Sequence, residues 1–308
     1  MTGAKNDADI NAVATLGLGE AGTALTTGLV KDWRGDRTDR RVLSVDIALG
    51  DNVRGAAIND RARNIGVEIS GEYGPALSEV GFVMSVVTGV EAKYAAESAK
   101  EWLEPGTLFM DVNTLTGPQT VAIGESMLAA GIDYVDVAAM GGFSSYGHKV
   151  PFLLSGPSAE RAAAFMKPYG FDVTVLSDKI GDASGVKIIR SVMIKGIEAL
   201  TVECLVAAHR QGLVEEVLEC FSDVDSRTFR GFVENMAISH LVHAKRRMEE
   251  MEKATENLDE IDIKPLMTAS TIASHRRTVD ANVVPPDGTR PTLEETLEIL
   301  SEQVVGRG

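Results

Sequence analysis

The sequence predicts an α/β domain followed by a long connecting helix and an all-helical domain. Three observations lead there. Over the first 180 residues, short apolar runs alternate with amphipathic stretches. That rhythm belongs to βαβ units and a mostly parallel sheet covered on both faces. A mainly apolar, proline-free helical pattern then runs from Ser184 to about Arg210, roughly 40 Å at 1.5 Å per residue. Beyond it the helical period persists to about residue 300, with breakers at Pro265 and Pro285–Pro286 and no convincing strand. The expected domains are therefore residues 1–180 and 181–308.

The elements follow in order. Residues 1–11 read as a polar, mobile tail. VATLG at 13–17, RVLSVDI at 41–47, GFVMSVV at 81–87, TLFMDVN at 107–113 and DYVDVAAM at 133–140 read as buried strands. Between them, 20–31, 51–64, 90–103 and 118–130 carry the helical period. KVPFLLSG at 149–156 and FDVTVLS at 171–177 flank a helical stretch at 158–167 and extend the same sheet.

Composition narrows the function classes. A chain of 308 residues has room for two domains at about 150 residues each. An apolar fraction of 44% and a charged fraction of 24% exclude whole-chain disorder, collagen-like repeats and a membrane-embedded class. With 30 Lys and Arg against 45 Asp and Glu, the net charge is -15, which argues against nucleic acid as a partner. No apolar run reaches the ~18 residues of a membrane span, and the first residues lack a secretory h-region. Cys204 and Cys220 are too few for a disulfide framework. The expected location is the cytoplasm, and Cys204 reads as a small core residue.

Gly17, Gly19 and Gly22 form a G-x-G-x-x-G that follows a strand and opens a helix. This spacing suits a dinucleotide: Gly17 permits the tight turn, Gly19 the close approach of pyrophosphate, and Gly22 close helix–strand packing. Free N–H groups at the helix start favour the phosphates. Glu20, in the first turn, complements the helix dipole. Strand two ends at Asp46, where a carboxylate can accept from the ribose hydroxyls and repel a 2′-phosphate. NAD is thus the expected cofactor, while Arg40, Arg41 and Arg54 keep NADP as the alternative. The expected cofactor-binding residues are Gly17, Leu18, Gly19, Glu20, Ala21, Gly22, Asp46, Val87 and Thr114.

Three further segments carry a family resemblance. DVNTLTGP at 111–118, DVAAMGGF at 136–143 and GVKIIRS at 185–191 resemble, in that order, the motifs of the β-hydroxyacid dehydrogenases. That family includes 3-hydroxyisobutyrate dehydrogenases, tartronate semialdehyde reductases and 6-phosphogluconate dehydrogenases. VKIIRSVMIKGIEAL and HAKRRMEEM are most similar to a less characterised branch of phosphogluconate-dehydrogenase-like NAD-binding oxidoreductases. The chain departs from the usual pattern in four places. Asn113 stands for the first hydroxyl residue, Met140 for the serine before two glycines, and Arg190 and Ser191 for two asparagines.

The resemblance implies a Rossmann-type dinucleotide-binding domain, with Lys187 as the general acid/base of a CH–OH/C=O hydride transfer. Such a lysine needs its ammonium pKa lowered by burial or a neighbouring cation, for which Arg190 is placed. Arg190 and Ser191, three and four residues on, share its helix face. They are expected to meet the substrate, together with Asn113, Gly141 and Gly142. The expected substrate is a small anionic hydroxy acid or sugar acid, and the expected assembly at least a homodimer. Lys195, near Glu198, reads as a structural ion pair. His240 and His243 read as a polar helix face, with no metal expected. An imine reductase-like NAD(P)H-dependent activity and a non-catalytic NAD sensor remain the alternatives.

Overall fold

The computed structural model describes residues 10–283 and 291–305. Residues 1–9 of the expected tail and the breaker at Pro285–Pro286 lie outside the described residues. The chain divides into two compact units, Met1–Val192 and Met193–Gly308.

The first unit alternates strand and helix as its apolar rhythm requires. In chain order it holds β1 (Ala12–Leu16), α1 (Glu20–Gly28), β2 (Arg41–Val45), α2 (Gly55–Ile65), β3 (Glu68–Ser70), β4 (Phe82–Ser85) and α3 (Ala92–Lys100). Then come β5 (Leu108–Asp111), α4 (Gly117–Ala129), β6 (Asp133–Ala139), α5 (Phe143–Tyr146), β7 (Phe152–Ser155), α6 (Ala159–Met166) and β8 (Val173–Ser177). The 30-residue α7 (Asp182–Gln211) follows, and the division between units falls inside it.

The strands form one sheet in the order β3-β2-β1-β4-β5-β6-β7-β8. This is a Rossmann-type doubly wound sheet with extra strands at one edge. All pairings are parallel except β6 with β7. A short connection without a crossover helix of full length joins those two, and parallel strands would need a longer one.

The alternation along β1 sets the two cores. Ala12, Ala14 and Leu16 face α3 and α4, where Ala92, Ala96, Ala99, Ile123 and Met127 meet them. Val13 faces α1 and α6, against Leu25, Leu29, Phe165 and Met166. Ile10, assigned to the tail from sequence, is instead buried at 4% exposure. Its side chain fills the space over Gly81, where an added Cβ would come within 2.9 Å of it.

The second unit is helical: the remainder of α7, α8 (Val214–Glu219), α9 (Ser222–Asp225), α10 (Phe229–Glu260), α11 (Leu266–Asp280) and α12 (Leu293–Ile299). Among the described residues no strand follows Ser177. Side chains of α7 close the α10–α11 corner. The Arg210 guanidinium donates to the Ile261 and Asp262 carbonyls at 2.7 and 2.6 Å. The Glu203 carboxylate accepts from the Met267 and Thr268 N–H groups, both at 2.8 Å. Cys204 lies on the same helix and is exposed rather than buried, because the apolar surface of α7 runs around the helix and part of it is uncovered. Among the described residues no helix is long and apolar enough to cross a membrane.

Candidate active site

Open α/β sheets bind ligands outside the carboxyl ends of their strands, where the strand order reverses. Here the reversal lies between β1 and β4. A cavity of about 550 Å³ opens there, lined among others by Gly17, Gly19, Glu20, Ala21, Asp46 and Val87.

The glycine loop takes its shape from close backbone contacts. Gly17 has φ +92°, and a Cβ there would meet the Val86 carbonyl oxygen at 2.7 Å. A Cβ on Gly22 would stand 2.0 Å from the Gly17 carbonyl oxygen. The packing that Gly22 permits is therefore against the loop itself rather than the strand. Around Gly19 nothing lies within 4 Å of an added Cβ. Gly19 is also the N-cap of α1 and carries no side-chain cap, so the first N–H groups of α1 stay free of side-chain partners.

Asp46 holds the loop from beside it. Its carboxylate accepts the Leu18 N–H at 2.8 Å and the Ala48 N–H at 3.0 Å. Leu18, fully buried, does not line the cavity; its carbonyl takes a bond from Arg61 at 2.9 Å. Sequence reasoning missed Arg61, Tyr73 and Val53 in the lining. Of the three arginines considered for a 2′-phosphate, only Arg54 lines the cavity. Arg40 stacks over Trp33 and Tyr169, and Arg41 pairs with Glu68 and Glu79.

The remaining candidate residues do not line this cavity. Asn113 follows β5 and is buried in a polar network. Its Nδ2 donates to Asp111 Oδ1 at 2.7 Å and to Ser85 Oγ at 3.0 Å. Both amide hydrogens are thereby used, and its Oδ1 is buried without a partner. The Tyr134 hydroxyl donates to the other Asp111 oxygen at 2.8 Å. Burial pushes the Asp111 carboxyl up to about 6 despite these bonds. Thr114 is exposed, with its carbonyl packed against Gly89. Thr116 begins α4, and Gln119 Oε1 accepts its N–H at 3.0 Å. Gly141 and Gly142 are exposed and lead into α5.

Lys187, Arg190 and Ser191 lie in the first turns of α7. Lys187 and Ser191 are half-buried and Arg190 is exposed. The Ser191 hydroxyl donates to the Lys187 carbonyl at 2.9 Å. In the second unit His240 Nε2 lies 2.8 Å from Thr278 Oγ1, and its ring stacks on His275. Burial, then His275 and two arginines, lowers the His240 pKa to about 4.

One solved structure, of a conserved protein of unknown function described as structurally similar to 3-hydroxyacid dehydrogenases, is 30% identical to the chain. The match covers 88% of this chain and 98% of that one, with a TM-score of 0.54. The chain belongs to this hydroxyacid dehydrogenase-like family. An uncharacterized 28.5 kDa protein of Methanothermus fervidus, from the 7S RNA 5′ region, is 26% identical over 213 residues, 68% of this chain and 80% of that one. Residues 208–278 match a domain of unknown function, DUF1932. The hydroxyacid dehydrogenase-like fold extends to an imine reductase of Streptomyces aurantiacus, with a TM-score of 0.73 at 14% identity, covering 94% and 99% of the two chains.

Proposed function

We propose that the protein is an NAD-dependent oxidoreductase acting on a small anionic hydroxy acid or sugar acid, with Lys187 as the proton-transfer group. The observation that carries this reading is the uncapped start of α1 facing a cavity that also holds Asp46. The open space at Gly19 suits a pyrophosphate, which the free N–H groups and dipole of α1 attract. Each Asp46 oxygen takes one backbone N–H and keeps capacity for a ribose hydroxyl. The nicotinamide, when bound, supplies the hydride chemistry.

The chain's own residues bind, orient and move the proton. Lys187 takes it from the substrate hydroxyl in oxidation and returns it in reduction. Arg190 pairs the substrate carboxylate, for which its planar fork is suited. The hydroxyl hydrogen of Ser191 is committed to the Lys187 carbonyl, so Ser191 meets a substrate as an acceptor. Ile189 and Val192 on α7 are 73% and 75% exposed, which supports a homodimer covering this surface. Two free cysteines support the cytoplasm.

The test is a spectrophotometric screen of hydroxy acids and sugar acids with NAD and NADP, run beside cyclic imines with NADPH. Turnover of a hydroxy acid is expected. Lys187→Ala should lower its rate by roughly 10²–10⁴ with NADH affinity intact, while Lys195→Ala stays active. Turnover of imines alone would replace the reading with an imine reductase. Tight NADH binding without any turnover would make the protein a sensor.

A further inference from the structure

We propose that Asp136 is a positioning residue, which fixes the start of α7 and thereby sets Lys187 and Ser191 against the carboxyl side of the sheet. The proposal rests on the reading of Lys187 as the proton-transfer group.

The first N–H groups of a helix have no intrahelical partner, and the side chain just before the helix commonly takes one of them. The residue before α7 is Gly181, at φ +98°, which has no side chain to offer. A carboxylate from the middle of β6 does the work instead. Asp136 Oδ2 accepts the Gly181 N–H at 3.1 Å and the Ser184 N–H at 3.0 Å. Its Oδ1 accepts the Ser184 hydroxyl at 2.5 Å. The Ser155 hydroxyl donates to Asp136 at 3.0 Å and in turn accepts the Ala183 N–H at 3.0 Å. The Gly181, Ala183 and Ser184 N–H groups thus converge on one carboxylate and one hydroxyl from neighbouring strands, while the Asp182 N–H goes to the Lys179 carbonyl at 3.4 Å.

This anchor is dry and clamped. Asp136, Ser155 and Ala183 are fully buried and Ser184 is nearly so. Charge-assisted bonds in such surroundings are stronger and more directional than exposed ones. From α4, the Thr120 hydroxyl donates to Ser184 Oγ at 3.3 Å. Glycines on α4 allow the close approach: a Cβ on Gly124 would meet Ile180 Cδ1 at 2.8 Å. Ser184 is held at both its N–H and its hydroxyl, so the rotation of α7 about its own axis is fixed there. Lys187 lies three residues on and Ser191 seven, on the same helix face. An asparagine at 136 could not reproduce the anchor, because its NH₂ would face donors.

The test uses the full chain with NADH as the probe, comparing wild type with Asp136→Asn and Ser184→Ala. Amide hydrogen exchange over 182–191 is read by mass spectrometry. Labelling of Lys187 and Lys195 by trinitrobenzenesulfonate is mapped on peptides, and NADH affinity is read by fluorescence. In Asp136→Asn, exchange over 182–191 should quicken by about tenfold or more, with NADH affinity held within about twofold. Labelling of Lys187 should change relative to Lys195, which a merely structural role would not produce. Exchange and Lys187 labelling that stay at wild-type values would overturn the proposal.

Should Asp136→Asn fail to fold, Ser184→Ala decides. It removes the hydroxyl and keeps the backbone bond, and unchanged Lys187 labelling in that variant overturns the proposal equally. On a hydroxy acid that wild type turns over, the two readings separate. Full activity of Lys187→Ala removes the proton-transfer reading and leaves the helix anchor intact. Loss of activity in Lys187→Ala with wild-type kcat in Asp136→Asn removes the positioning role alone.

Discussion

Gly22→Ala should abolish tight cofactor binding by moving a backbone that no ligand contact can restore. The added Cβ would sit 2.0 Å from the Gly17 carbonyl oxygen and 2.9 Å from its carbon. Carbon and oxygen in contact need more than 3 Å, so the loop and α1 must part by about 1 Å, an overpacking that costs roughly 1–3 kcal/mol of stability. The same shift misaligns the N–H groups of α1 that would face the pyrophosphate. Weakening two charge-assisted bonds there costs about 3 kcal/mol in all, or about 10²-fold in NADH affinity. Fluorescence titration with NADH, beside a thermal melt, measures both effects. Gly19→Ala is the contrast, because its Cβ enters open space. It should keep the melting temperature and still lose affinity, by occupying the approach of the phosphates. The reasoning is refuted if Gly22→Ala binds NADH as wild type does.

Three other outcomes follow from the geometry. Asp46→Ala should narrow the preference for NAD over NADP and also loosen the loop, since the carboxylate holds the Leu18 N–H; equal dissociation constants for both cofactors in wild type would refute the preference. Burial raises the Asp111 carboxyl to about 6, so the native state holds this proton more tightly than the unfolded chain. Its contribution to stability is present below about pH 4 and is lost as pH rises through about 6, about 3 kcal/mol in total. Denaturant unfolding from pH 4 to 7 should show this slope in wild type and not in Asp111→Asn. Light scattering at micromolar concentration should find a dimer, and Val192→Asp should weaken it; a wild-type monomer would refute the interface.

Much of the sheet was legible because buried parallel strands are continuous apolar runs, and 13–17 or 81–87 can be little else. β3 was not, because a three-residue edge strand, Glu68–Ser70, shows neither a run nor an alternation. The reversed direction of β7 was illegible for another reason: an apolar run carries no polarity, and only the short 140–151 connection hinted at it. In the site, glycine spacing gave the loop. The arginines did not sort themselves, since Arg40 and Arg61 are the same residue type on either side of Asp46 in sequence, and nothing local marks which one turns to the loop. One is committed to Trp33 and Tyr169 and the other reaches the loop. In DVAAMGGF the resemblance marks Met140 and the glycines, whereas hydrogen bonds from the start of α7 converge on Asp136, four residues before Met140.

The treatment of helix starts in the first unit separates binding from construction. Three helices, α1, α4 and α7, each begin soon after a strand and present donors that need partners. At α4, Gln119 reaches back to the Thr116 N–H and closes that end locally. At α7, Asp136 and Ser155 take the Gly181, Ala183 and Ser184 N–H groups from the sheet, and an incoming anion would have to displace a buried carboxylate. At α1 the cap is a glycine without a side chain, beside open space. Of the carboxylates lining the cavity, Asp46 is turned onto Leu18 and Ala48 at the side of the loop rather than onto the helix start, and Glu20 in the first turn is exposed. A dinucleotide's phosphates are therefore favoured at α1 and excluded from α7, although the dipoles of both helices would attract them. On the proposed reading, the long helix is left to hold Lys187 in place, and the short one to receive the cofactor.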